Sequence, residues 1–117
     1  MIKTAIIGAG GIAVKHALSI NRLPNVKVAG VIDIRYENAK RIADMCNARI
    51  VSRLEDILDE IDMIHLLTPP SKRVEYAEVA MKAGKHVFCE KPIAVTMEDA
   101  GRLAELAEEN HVLFMTA

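Results

Sequence analysis

The chain has 117 residues, 51% of them apolar and 26% charged, with 15 basic against 16 acidic side chains. That length suits one domain with a modest core, and so even a charge balance gives no general field for nucleic acid or an anionic membrane, so partners must be recognised locally. No run approaches the roughly 18 apolar residues of a membrane span, and Lys3 and Gly8 interrupt the first apolar stretch too early for a leader core.

Cys46 and Cys89 lie far apart without a CxxC or Cys/His pattern. Two reduced thiols in a soluble cytoplasmic protein without a metal site are therefore expected.

Apolar runs and helical periods alternate along the whole chain, the pattern of an α/β domain with a parallel sheet. Ile2–Ile7 is the first predicted strand. A helix follows from Gly11 to Leu23 with Ala13, Ala17 and Ile20 on its buried side, ending before Pro24 and Asn25. Val26–Ile32 is the second strand. The next helix, Arg35 to Cys46, carries Ala39, Ile42, Ala43 and Cys46 at the spacing of one apolar stripe. A short strand over Arg49–Val51 and a short helix over Leu54–Asp59 come next.

Met63–Leu67 forms a fourth strand, interrupted in its apolar character only by His65, and Pro69 and Pro70 stop its pairing. Ser71 is the expected cap of a helix that buries Val74, Ala77 and Met81 and ends at Gly84. His86–Cys89 is the fifth strand. Thr96 with Asp99 resembles a capping box for a last helix that reaches Asn110 and buries Ala100, Leu103, Ala104 and Ala107. Val112–Met115 makes the sixth strand. The expected fold is a doubly wound parallel sheet of six strands in the order 3-2-1-4-5-6, one domain over residues 1–117.

The turn Gly8-Ala9-Gly10-Gly11-Ile12-Ala13 follows a strand and opens a helix, and Asp33 closes the second strand about twenty positions further on. That is the layout of a dinucleotide-binding βαβ unit. Gly8 allows the tight turn, Gly10 lets a pyrophosphate approach the backbone, and the small Ala13 lets helix and strand pack closely. Each of these residues also has a plain structural use, since glycines serve turns and an Asp at a strand end serves as a helix cap. In an open parallel sheet, ligands bind beyond the C-terminal strand ends where the strand order reverses. Gly8 to Gly11, Asp33 to Tyr36, Thr68-Pro69-Pro70 and Glu90-Lys91-Pro92 should all converge there.

These residues make the chain resemble the Gfo/Idh/MocA oxidoreductases. The resemblance rests on IIGAGGIAVKH (Ile6–His16), Asp33, LLTPP (Leu66–Pro70) and, most specifically, AGKHVFCEKPIAVT (Ala83–Thr96). It implies an N-terminal nucleotide-binding domain that binds NAD or NADP and takes part in hydride transfer with a sugar, an inositol or a related polyol derivative. By that resemblance Gly8, Gly10, Gly11 and Ile12 contact the pyrophosphate, and Asp33, flanked by Ile34 and Arg35, holds the adenosine ribose. Thr68 and Pro69 lie near the nicotinamide half. Glu90 and Lys91 approach the nicotinamide ribose and carboxamide, with Lys91 also reaching the substrate in a catalytic role.

The chemistry of Lys91 is coherent on its own terms. A hydride leaving a carbinol carbon builds charge on oxygen, and an ammonium group at hydrogen-bond distance stabilises it. An ordinary solvated lysine is the alternative. Pro92 fixes the backbone beyond it, through either isomer.

Two departures from the resemblance stand out. Arg73 stands at about the position where such proteins often carry a histidine, so a different charge is expected to face either the crevice or the solvent. The second α+β domain of the family, which supplies substrate contacts and a catalytic histidine or aspartate, is expected to be absent from this chain.

Asp33 favours NAD over NADP because a carboxylate repels a 2′-phosphate. Arg35 has the options of pairing with a phosphate, stacking on adenine or pointing into water. Of the four histidines, His16 is expected to pack or bond the backbone, His65 to be a core histidine with a satisfied nitrogen, and His86 and His111 to open strands.

Three functions follow in order. The first is the cofactor domain of an NAD(P)-dependent dehydrogenase. The second is an NAD(H)-responsive binding module without hydride transfer, in which the last apolar strand favours homo-oligomers. The third is a Rossmann domain that has lost its ligand.

Overall fold

Six segments form six parallel strands in the computed structural model, which describes residues 1–117. The strands are β1 (Ile2–Ile7), β2 (Val26–Ile32), β3 (Arg49–Ile50), β4 (Met63–Leu66), β5 (His86–Cys89) and β6 (Phe114–Thr116), and their order across the sheet is β3-β2-β1-β4-β5-β6. The expected topology is therefore the observed one. Four helices cover the faces: α1 (Gly11–Asn21), α2 (Tyr36–Cys46), α3 (Arg73–Lys82) and α4 (Met97–Glu109).

The two-residue period of a strand explains why the molecule has two cores. Ala5 and Ile7 of β1 point to one side, where they join Ile64, Leu66, Val87, Ala77, Met81, Leu103 and Leu106 under α3 and α4. Ile6, between them, points to the other side and packs with Ala13, Ala17, Val31, Ile42 and Ala43 under α1 and α2. No helix is long and apolar enough to cross a membrane.

Some boundaries differ from the sequence-based expectation. The segment after β3 is two short 3₁₀ turns, Leu54–Asp56 and Leu58–Glu60, instead of one helix. Leu54 and Ile57 are both buried, and their three-residue spacing matches the period of a 3₁₀ turn. Ser71 caps nothing. It lies inside a 3₁₀ turn, Pro70–Lys72, because the fixed φ of Pro70 suits the start of a tight turn, so α3 begins at Arg73 without a side-chain cap.

In α4 the buried stripe is Leu103 and Leu106, while Ala104 is exposed and Ala100 and Ala107 are half-buried. The larger leucines take the space against α3. The last strand starts later than expected because His111 adopts the left-handed region, φ 55°, and the chain bonds to β5 before β6 begins. There the Leu113 amide donates to His86 Nδ1 at 2.9 Å, so His86 joins two strands.

Candidate functional site

The strand order reverses at β1 and β4, and the loops that leave them form the floor of a crevice of about 710 Å³. Gly8 is required there by the fold itself. Its φ is +96°, and a Cβ on it would lie 2.7 Å from the carbonyl carbon of Leu67 and from the amide nitrogen of Thr68. Only a residue without a side chain lets the two loops pass this closely. The turn is braced further on, where the Ala9 amide donates to Asp33 Oδ2 at 2.7 Å and Arg41 Nη2 donates to the Ala9 carbonyl at 3.2 Å.

Gly10 and Gly11 have a different environment. A Cβ on either would meet nothing within 4 Å, and Gly10 has an extended backbone, φ −78° and ψ −161°. Packing does not account for either glycine. Helix α1 begins at Gly11 without a side-chain cap and without an acidic residue in its first turn. The amides of Gly10, Gly11 and Ile12 donate to no protein acceptor. Unpaired amides at the positive end of a helix dipole form a receptor for an anion, and the open space in front of the two glycines leaves room for one.

Asp33 ends β2 at the side of this crevice. Its Oδ2 takes the Ala9 amide and its Oδ1 takes the Arg35 amide, both at 2.7 Å. One carboxylate thus ties the glycine turn to the start of α2, and each oxygen keeps a second lone pair for a ligand hydroxyl. Ile34 is 98% exposed, and Arg35 and Tyr36 are exposed beside it.

Thr68 and Pro69 line the opposite wall, continued by Lys72 at the end of the 3₁₀ turn and by Arg73, Glu75 and Tyr76 along α3. The Thr68 hydroxyl is buried and has no hydrogen-bond partner. A buried hydroxyl left unpaired is costly, and Thr68 is the residue of the crevice wall that carries one.

Glu90 and Lys91 are not among the residues that line this crevice. They leave β5 on the neighbouring loop, where the Lys91–Pro92 bond is cis and Lys91 is exposed. Glu90 Oε1 lies 3.1 Å from His16 Nε2 on α1, and Glu90 Oε2 accepts the Lys91 amide at 3.1 Å. The His16 hydrogen bond, followed by that amide, holds the Glu90 carboxyl below the usual carboxylate range.

Behind this pair His16, His65 and Phe88 pack with ring centroids 5.3 to 5.8 Å apart. His65 is half-buried rather than in the core, and its Nδ1 sits 2.8 Å from the Thr4 hydroxyl, the satisfied nitrogen expected of it. Burial, with help from His16, pushes its pKa down to about 4, so the ring is neutral near pH 7.

Two residues of the site were not legible as such in the sequence. His16 was expected to pack or to bond the backbone, and it packs but also meets a carboxylate. Arg73 had an open assignment between crevice and solvent, and it is only 4% exposed. The one signal for it was its place, a charged residue shortly after two prolines, and nothing in a linear pattern separates a buried guanidinium from a solvated one.

Comparison with known proteins agrees with this geometry. The family model of Gfo/Idh/MocA, described as an oxidoreductase family with an NAD-binding Rossmann fold, matches residues 2–117. Glucose-6-phosphate 3-dehydrogenase from Bacillus subtilis is 33% identical over 108 residues, which are 92% of this chain and 31% of that protein.

Among solved structures, the WlbA dehydrogenase of Chromobacterium violaceum, in complex with NADH and UDP-GlcNAcA, superposes with a TM-score of 0.93 at 26% identity over 99% of this chain and 34% of its own. A 3-ketoreductase from Actinomadura kijaniata, in complex with NADP and TDP-benzene, gives a TM-score of 0.89 at 28% identity over 98% of this chain and 36% of its own. This chain therefore spans about a third of the length of the proteins it matches. With the glycine turn, the sheet order and the match over nearly every residue in agreement, the chain belongs to the Gfo/Idh/MocA oxidoreductase family, by its NAD-binding Rossmann fold.

Proposed function

We propose that residues 1–117 bind a nicotinamide dinucleotide, NAD ahead of NADP, as the cofactor domain of a dehydrogenase acting on a sugar, an inositol or a related polyol derivative. The observation that carries this is the receptor at the start of α1: two glycines that packing does not require, facing open space, with three unpaired amides around them. The buried, unpartnered hydroxyl of Thr68 across the crevice fits the same ligand.

In this reading Gly8, Gly10, Gly11 and Ile12 hold the diphosphate, and Asp33 accepts from the adenosine ribose, with Ile34 and Arg35 beside it. Thr68 and Pro69 flank the nicotinamide half. Glu90 and Lys91 stand at the far end. The cofactor, when bound, supplies the acceptor or donor of the hydride. Lys91 is the catalytic residue: its ammonium group holds the substrate oxygen on which charge builds as the hydride leaves carbon. Glu90, held in place by His16 and the Lys91 amide, orients that segment.

We assign the substrate walls and an acid–base partner to a second α+β domain outside these residues, in keeping with relatives of which this chain spans 31% and 35%. A reducing cytoplasmic setting agrees with two free, buried cysteines. Self-association along the outer strand β6 agrees with the exposure of Leu113 and Met115, and sedimentation velocity reads it directly. Calorimetric titration with NAD and NADH tests the central proposal. Saturable binding of either supports it, and no binding of either at millimolar concentration refutes it.

A further inference from the structure

Arg73 is placed against ordinary preference in two respects. It is a buried cation that no carboxylate pairs with, and it stands at the first residue of α3, where the helix dipole already carries partial positive charge. Neither feature stabilises α3. Violations of this kind concentrate where function sets the terms.

The guanidinium group is spent on three carbonyls from two separate loops. Nε donates to the Thr68 carbonyl at 2.9 Å, on the crevice wall. Nη1 donates to the carbonyls of Glu90 and Pro92, the residues on either side of Lys91. The Cys89 thiol lies close enough for the guanidinium charge to oppose the rise in its pKa that burial causes. A planar fork with several fixed donors can span these acceptors, whereas a lysine presents its donors from one point.

We propose that Arg73 is a positioning residue: it fixes the Glu90–Pro92 segment against Thr68, so that the Lys91 ammonium group meets the nicotinamide end of the bound dinucleotide. This rests on the cofactor reading given above. It explains how Lys91, on a loop that does not line the crevice, is brought to the same ligand as the residues that do. Arg73 itself touches no reacting atom.

The test is lysine labelling by acetic anhydride, read by mass spectrometry, with and without saturating NADH, on the 117-residue chain and its Arg73→Gln variant. Lys72, which lines the crevice, and Lys91 are both exposed and serve as the two reporters. In the unaltered chain NADH slows labelling of both several-fold. In Arg73→Gln it still slows Lys72 but no longer slows Lys91, and NADH binds about tenfold more weakly.

Equal protection of Lys91 in both proteins overturns the positioning role and leaves the cofactor reading intact, whereas protection of Lys72 without Lys91 in the unaltered chain overturns the positioning role and the placement of Lys91 at the nicotinamide, leaving dinucleotide binding alone. No protection of either lysine, with no binding, overturns the cofactor reading and this inference with it. If Arg73→Gln does not fold, Arg73→Met, which fills the space without donors, takes its place. Should both fail to fold, Arg73 is a determinant of the fold and the proposal is overturned.

Discussion

Asp33 shows how one side chain can tie two loops together and still keep lone pairs for a ligand. Its carboxylate binds the Ala9 and Arg35 amides, so Asp33→Ala removes two charge-assisted bonds as well as the proposed ribose acceptor. The variant should lose about 1–3 kcal/mol of stability by urea titration. Its affinity should fall for both dinucleotides, and more for NAD than for NADP, because the repulsion of a 2′-phosphate disappears with the charge. An equal loss for both would remove the ribose role.

His65 predicts a pH dependence. Its folded pKa of about 4 lies below the ordinary value near 6.5. Between these values the unfolded chain binds the extra proton, so stability is full above about pH 6.5 and declines as the pH falls towards 4. His65→Gln should flatten that part of the profile of Tm against pH. An unchanged slope would show that other groups carry it.

At the scale of elements, the two helix starts that matter most are built in opposite ways. The Thr96 hydroxyl caps α4 by accepting the Asp99 amide at 3.0 Å, and Thr96→Ala should cost about 1 kcal/mol in urea unfolding without touching cofactor affinity. The start of α1 has no such cap, and that gap is the receptor we propose for the diphosphate.

The contrast was legible in the sequence, because Thr96 with Asp99 is a capping pattern and Gly10-Gly11 is not. The strands and helices were also legible, since the two-residue and 3.6-residue periods are strong signals. The 3₁₀ turns after β3 were not, because a buried residue every third position occurs in short helices too. The start of α3 was misread at Ser71 because a cap pattern is local, while the preceding Pro70 had already committed the backbone to a turn.

For the whole molecule, the alternation of strands and helices led to the sheet order, and the sheet order to the crevice. It predicted which loops gather at one end. It did not predict how they divide: the glycine turn, Asp33 and Thr68 share one crevice, while Glu90 and Lys91 lie on a neighbouring loop joined to it by Arg73 and His16. Those links depend on side-chain contacts between residues remote in sequence, which no period or motif encodes.

The two kinds of glycine in the turn give the most direct test of the receptor at α1. Gly8→Ala should unfold at lower temperature, because its Cβ meets backbone and its φ is positive, whereas Gly10→Ala should melt like the unaltered chain. Calorimetric titration of the Gly10→Ala variant with NADH is therefore the decisive measurement. The predicted result is an unchanged Tm with NADH affinity reduced about tenfold or more, as a methyl group enters the space proposed for the diphosphate. Binding equal to that of the unaltered chain would contradict the account.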